Sequence, residues 1–163
     1  METRSDQAHN SANPRPSQRA FGEQERSIDK KNRLIIPTDY RPSAGANDLI
    51  LIRRPGEYLV ALTLDQYDNL HSISLEKIQD LAERRNFTSF MSHAARRVQI
   101  DKQARITLTP QEMEHLRATD RLVVIKMGSE LSLFEVWSAK RHKESVDILM
   151  RDQGEQIVSK IGI

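Results

Sequence analysis

Two short stretches of this chain gather the side chains able to hold a polyanion. Residues 26–33 carry Arg26, Lys30, Lys31 and Arg33 against one acid, Asp29. Residues 96–105 carry Arg96, Arg97, Lys102 and Arg105 against Asp101, so each stretch has a net charge of +3. Cations held on a protruding turn neutralise phosphates, and a planar guanidinium can pair with a base edge. The aspartates need another task, because a lone acid among phosphate-binding cations repels the ligand. Asp29 and Asp101 are expected to accept backbone N–H groups and shape their turns. In the opposite reading Arg33 and Arg105 only pair with Asp29 and Asp101 or with helix ends. One cluster taken alone leaves both readings open.

Other chemistry finds little footing. The 163 residues include no Cys, which excludes a disulfide framework, a thiol nucleophile and a thiolate metal site. The five histidines, His9, His71, His93, His115 and His142, show no metal-ligand spacing. No phosphate-cradling glycine loop, nucleophile elbow or dinucleotide fingerprint is present, and six glycines serve the whole chain. Arg53-Arg54 and Arg84-Arg85 read as solvated turn and helix-end charges, and Trp137 as a core residue. Catalysis, cofactors and a small-molecule substrate therefore have no positive support. No apolar run approaches the roughly 18 residues of a membrane span. The first residues lack the apolar stretch of a signal peptide, so a cytoplasmic protein is expected.

The elements that must position the basic clusters follow from local signals. Residues 1–20 contain no Val, Ile, Leu, Phe, Tyr or Trp and read as a disordered tail. Ile28 and Leu34-Ile35-Ile36 flank the polar run 29–33, which predicts strand, turn, strand, with Asn32 suited to a positive φ. Residues 47–52 and 58–64 are two strands split at Pro55-Gly56. Thr63 or Asp65 can start a helix and Ser74 a second one. Thr109-Pro110-Gln111-Glu112 carries the residues of a helix start: Thr at N-cap, Pro at N1 and Glu at N3. Residues 122–126 and 131–137 are strands around Gly128-Ser129, and Ser138 caps a last helix.

The second half repeats the first at an offset of 72. Ile28, Asp29, Lys30, Arg33 and Leu34 match Ile100, Asp101, Lys102, Arg105 and Ile106. Two copies of I-D-K-x-x-R-[LI] with the same flanking elements carry far more than one short match. Each half has about four short strands and little aromatic mass, too little to cover its own apolar face and close its edges. The two halves are therefore expected to interdigitate.

These motifs resemble the MraZ family of bacterial transcriptional regulators over residues 21–145. That family carries a D-x-x-G-R turn, an apolar strand and P-x-x-[FL]-R in each repeat. Asp29–Arg33 with Pro37–Arg41 match the first copy, and Asp101–Arg105 the second. Phe134-Glu135-Val136-Trp137 is similar to the family's F-E-I-W strand, and Leu59–Leu64 to its first-repeat counterpart. The motif glycine is replaced by Asn32, which tolerates a left-handed backbone, and by Ala104, which loses about 1 kcal/mol there. The proline expected after the second turn is displaced to Pro110, with Thr109 in its place.

The resemblance implies a mainly β, α/β fold: two AbrB-like swapped-hairpin repeats, residues 21–92 and 93–145, closing a small β-barrel with peripheral helices. A helical extension, 146–163, follows. It also implies DNA as partner through Lys30, Lys31, Arg33, Lys102 and Arg105, with Arg96 and Arg97 added on charge and proximity. A ring-like homo-oligomer on repeated promoter boxes of the division and cell-wall gene cluster, at the nucleoid, follows from the same source. Two alternatives stand beside it: a dimeric AbrB-like antitoxin, and an oligomeric scaffold whose DNA loops have decayed.

Overall fold

The structure, a computed structural model, describes residues 22–43 and 45–163; the tail expected over 1–20 lies outside them. Among the described residues eight strands run in chain order: β1 Glu23–Ser27, β2 Arg33–Ile35, β3 Asp48–Arg54, β4 Tyr58–Leu62, β5 Ala95–Gln99, β6 Arg105–Thr107, β7 Leu122–Met127 and β8 Phe134–Ser138. The same residues form four α-helices: α1 Leu64–Lys77, α2 Leu81–Ala94, α3 Pro110–Leu116 and, after the last strand, α4 Ala139–Ile161. A 3₁₀ turn, Thr38–Tyr40, stands in the first half where α3 stands in the second.

Pairing is antiparallel and largely between the halves. β1 bonds β7, β5 bonds β3, and β2 bonds β6. The consecutive hairpins β3–β4 and β7–β8 meet through β4–β8. The main sheet has the order β1-β7-β8-β4-β3-β5, and β2–β6 forms a separate two-stranded ribbon. This corrects the expected barrel: β1 and β5 remain the two ends of an open ladder. Each of these strands bends through its Asp turn and continues into the ribbon, so their outer edges are not joined to one another.

The core lies between ribbon and sheet. Leu34 and Ile106 from the ribbon, Leu49 and Leu51 from β3, Val123 and Ile125 from β7, and Phe134 from β8 are fully enclosed there. Tyr40 meets Phe134 edge-on, with ring centroids 6.2 Å apart, and donates its hydroxyl to Gly22 O. The unbroken apolar run of β3 reflects burial on both faces. Ile50 and Ile52 point the other way and pack with Leu62, Met91 and Ala94 under α1 and α2.

Helix starts follow the local chemistry. Thr63 and Gln66 form a reciprocal capping box at α1, Thr109 and Glu112 another at α3, and the Ser138 hydroxyl accepts Arg141 N–H at α4. The start expected at Ser74 does not occur: its hydroxyl donates back to Leu70 O inside α1. The second helix begins at Asp80, whose carboxylate accepts the amides of Ala82 and Glu83. Arg84 then covers the end of α1, donating to Ile78 O and Leu75 O. Helix α4 runs through the expected boundary at residue 146 without a break. Trp137, expected in the core, is only half-buried; it stacks on Tyr58 with centroids 4.1 Å apart and donates to Glu135.

Glu112 is 3% exposed, and Arg96 on β5 donates to both of its carboxylate oxygens at 2.8 Å. Arg96→Ala would leave that acid buried without its cation. Discounted for the solvent on the Arg96 side, a loss of about 2 kcal/mol is expected, read as a lower denaturation midpoint in urea. Ala104 holds φ at 60°, a conformation that crowds its Cβ against the backbone. Ala104→Gly is accordingly expected to stabilise by about 1 kcal/mol, roughly 3 °C in Tm by thermal melting.

Candidate nucleic-acid interface

The two basic turns are built alike, bond for bond. Asp29 N–H donates to Arg33 O and Asn32 N–H to Asp29 O; Asp101 N–H donates to Arg105 O and Ala104 N–H to Asp101 O. One carboxylate oxygen of Asp29 accepts the amides of Lys31 and Arg33, at 2.9 and 2.8 Å, and its other oxygen accepts Arg33 Nε at 2.6 Å. Asp101 accepts Gln103 N–H, Arg105 N–H and Arg105 Nε in the same way, at 2.9, 3.0 and 2.9 Å. The amide of Arg33, then its guanidinium and the amide of Lys31, hold the Asp29 carboxyl below its ordinary pKa of 3.8. The amide of Arg105 leads the same effect at Asp101. Both acids are therefore anions whenever the turns are formed near neutral pH.

The left-handed residue of each turn points its carbonyl at the other half. Leu108 N–H donates to Asn32 O, and Ile36 N–H donates to Ala104 O, both at 2.8 Å. These bonds extend the β2–β6 register of Arg33 with Thr107, Leu34 with Ile106 and Ile35 with Arg105. With Leu34 and Ile106 inward, strand alternation places Arg33, Ile35, Arg105 and Thr107 together on the outward face. The two turns thus flank one short ribbon whose outer face carries an arginine on each rung.

The carboxylates engage the arginines through Nε. Among the described residues, the Nη groups of Arg33 and Arg105 have no protein acceptor. Lys30, Lys31 and Lys102 are exposed and have no carboxylate within salt-bridge distance among those residues. The other cations of the clusters are engaged elsewhere. Arg96 is held by Glu112 and Arg97 by Asp48 at 2.9 Å, while Arg26 folds back on Gln24 and Glu25 O.

One contributor lies outside both clusters. Arg121, itself left-handed at φ 61°, donates from Nη1 to Asp29 O at 2.6 Å and to Asn32 Oδ1 at 3.1 Å. It clamps the first turn from the start of β7. Ala104, with no side-chain acceptor, has no such bond in the second turn. The only signal of this in the sequence is an amide side chain at the motif glycine position. Among the described residues, no group of three or more His, Asp or Glu side chains is placed to hold a metal ion.

No family model matches the chain. It is similar to the protein named transcriptional regulator MraZ of Limosilactobacillus fermentum, 30% identical over 132 residues, which cover 81% of this chain and 90% of the relative. It is 27% identical to the MraZ regulator of Caldanaerobacter subterraneus over 143 residues, 84% of this chain and 95% of that one. The MraZ regulator of Ligilactobacillus salivarius is 29% identical over 128 residues, 78% of this chain and 86% of its own. A stretch as long as the one shared with the Caldanaerobacter protein cannot miss either basic turn in a chain of this length. On this similarity, sustained over nearly the whole length of each relative, the chain belongs to the MraZ family of transcriptional regulators.

Proposed function

We propose that this chain is a sequence-specific DNA-binding transcriptional regulator that reads DNA with the outward face of the β2–β6 ribbon and its flanking turns. The observation that carries the reading is the pair of Asp-anchored turns, each aiming one arginine outward with Nη donors to spare. The B-DNA major groove accepts a two-stranded ribbon, free guanidinium edges suit phosphate oxygens or guanine O6 and N7, and exposed lysines add phosphate neutralisation. Lys30, Lys31, Arg33, Lys102 and Arg105 are the contact residues; Asp29, Asn32 and Asp101 give the turns their shape. Arg96 and Arg97, added on charge and proximity, stand beside these contacts and are ion-paired with Glu112 and Asp48.

The chain is organised as two AbrB-like swapped-hairpin repeats, 21–92 and 93–145; the exchange of β1 and β5 between the halves supports this. Residues 146–163 extend the second repeat. The target is the division and cell-wall gene cluster, and the working form is a ring-like homo-oligomer at the nucleoid that engages several promoter boxes at once. Weak contacts from single ribbons then add through high local concentration. No helix among the described residues is long and apolar enough to cross a membrane.

Replacing Lys31 and Arg33 together by alanine is expected to weaken binding to the DNA upstream of the protein's own coding sequence. Its salt dependence should flatten by about 0.9 log units per lost phosphate contact per engaged subunit. Gel retardation across a salt series measures both, and an unchanged slope would exclude these residues from the interface. Light scattering of the full chain is expected to give a mass several times the 18.8 kDa protomer. A mass of twice the protomer would fit the dimeric antitoxin instead.

A further inference from the structure

We infer that Ile35 is a specificity-determining residue that reads the C5 methyl of a thymine; this rests on the DNA reading above. On the ribbon's outward face, positions related by the 72-residue offset are not all alike. Arg33 corresponds to Arg105, but Ile35 corresponds to Thr107. Ile35 is 51% exposed although its chain neighbours Leu34 and Ile36 are fully buried. It sits directly across the ribbon from Arg105 and two residues along the strand from Arg33.

Two residues of strand advance about 6.8 Å, and two base-pair steps of DNA advance the same distance at about 3.4 Å each. A ribbon lying along the major groove therefore sets Ile35 in register with a base two steps from the one Arg33 reaches. An aliphatic side chain can accept no hydrogen bond there and donates none. The one group of the major-groove edge that suits it is the thymine methyl. Thr107 places a hydroxyl beside its methyl on the equivalent rung, so the two ends of the ribbon present different surfaces to the groove.

The test uses the full-length protein and duplexes it selects from a random library at low salt. Each thymine of the selected site is replaced in turn by deoxyuridine, which removes only the methyl. The expected result is a fixed thymine where this substitution weakens wild-type binding about fourfold, the value of one buried methyl. Ile35→Ser, which has no γ-methyl and lies on an exposed face where folding is not at stake, is expected to bind the unmodified duplex about fourfold more weakly and to be indifferent to deoxyuridine at that position. Comparing both proteins on the same duplex pair cancels any change in DNA shape. Selected sites without a fixed thymine, a flat deoxyuridine scan, or equal sensitivity in Ile35→Ser would overturn the assignment while leaving DNA binding intact. Failure of the wild type to enrich any duplex would overturn the DNA reading itself, and this inference with it.

Discussion

The fold depends on one reciprocal pair of hydrogen bonds, those from Leu108 N–H to Asn32 O and from Ile36 N–H to Ala104 O. Each closes the end of a turn in one half against a strand of the other. A left-handed residue is needed at both places, because only that conformation swings the carbonyl out of its own turn. Everything else is arranged around this exchange. Leu34 and Ile106 are brought side by side under the ribbon, β1 is delivered to β7, and β5 is delivered to β3. Neither half retains a complete sheet without the other, which explains how so few aromatic residues suffice to close the core.

The same constraint resolves the two opposed readings of the arginines. Pairing with aspartate and facing a polyanion look exclusive when a guanidinium is treated as a point charge. It is a planar fork with five donors, and here the carboxylate uses the Nε end. The acid restricts the rotation of the side chain, and the Nη end stays outside. The cost is a partial cancellation of charge, which the neighbouring exposed lysines offset. Because backbone amides already hold the aspartates in the ionised form, the arginines do not lose their anchor when they meet a second anion.

What the sequence made legible is local. The turns, the Thr63, Thr109 and Ser138 caps, and the position suited to a positive φ at Asn32 all depend on bonds reaching no more than four residues along the chain. The 72-residue offset relates the two turns residue by residue. Features set by distant partners were not legible. Glu112 reads as a capping residue, and it is one, but nothing near it announces that Arg96 lies across its carboxylate. Trp137 reads as core mass, yet its ring finds Tyr58 at the sheet surface. The open ladder depends on the paths of β1 and β5 after the turns, which a hydrophobic pattern does not encode. Ser74 and Asp80 are equally good caps by type; Ser74 is lost because α1 passes through it.

The two halves have diverged where divergence is mechanically cheapest. Asn32 and Ala104 adopt the same φ of 60°, so both turns take the left-handed conformation without a glycine. The penalty was absorbed in two different ways. At Asn32 the amide oxygen meets Arg121, which also holds Asp29 O, so the residue that strains the backbone supplies a bond that restrains it. At Ala104 no side chain can do this, and the turn relies on Asp101 and on the cross-ribbon bond from Ile36. Equal geometry therefore conceals unequal rigidity. A turn that gains two further bonds from Arg121 loses less entropy on meeting a ligand than one held by its own carboxylate and the cross-ribbon bond. Hence the two ends of one ribbon are alike in backbone outline but differ in the bonds that restrain them.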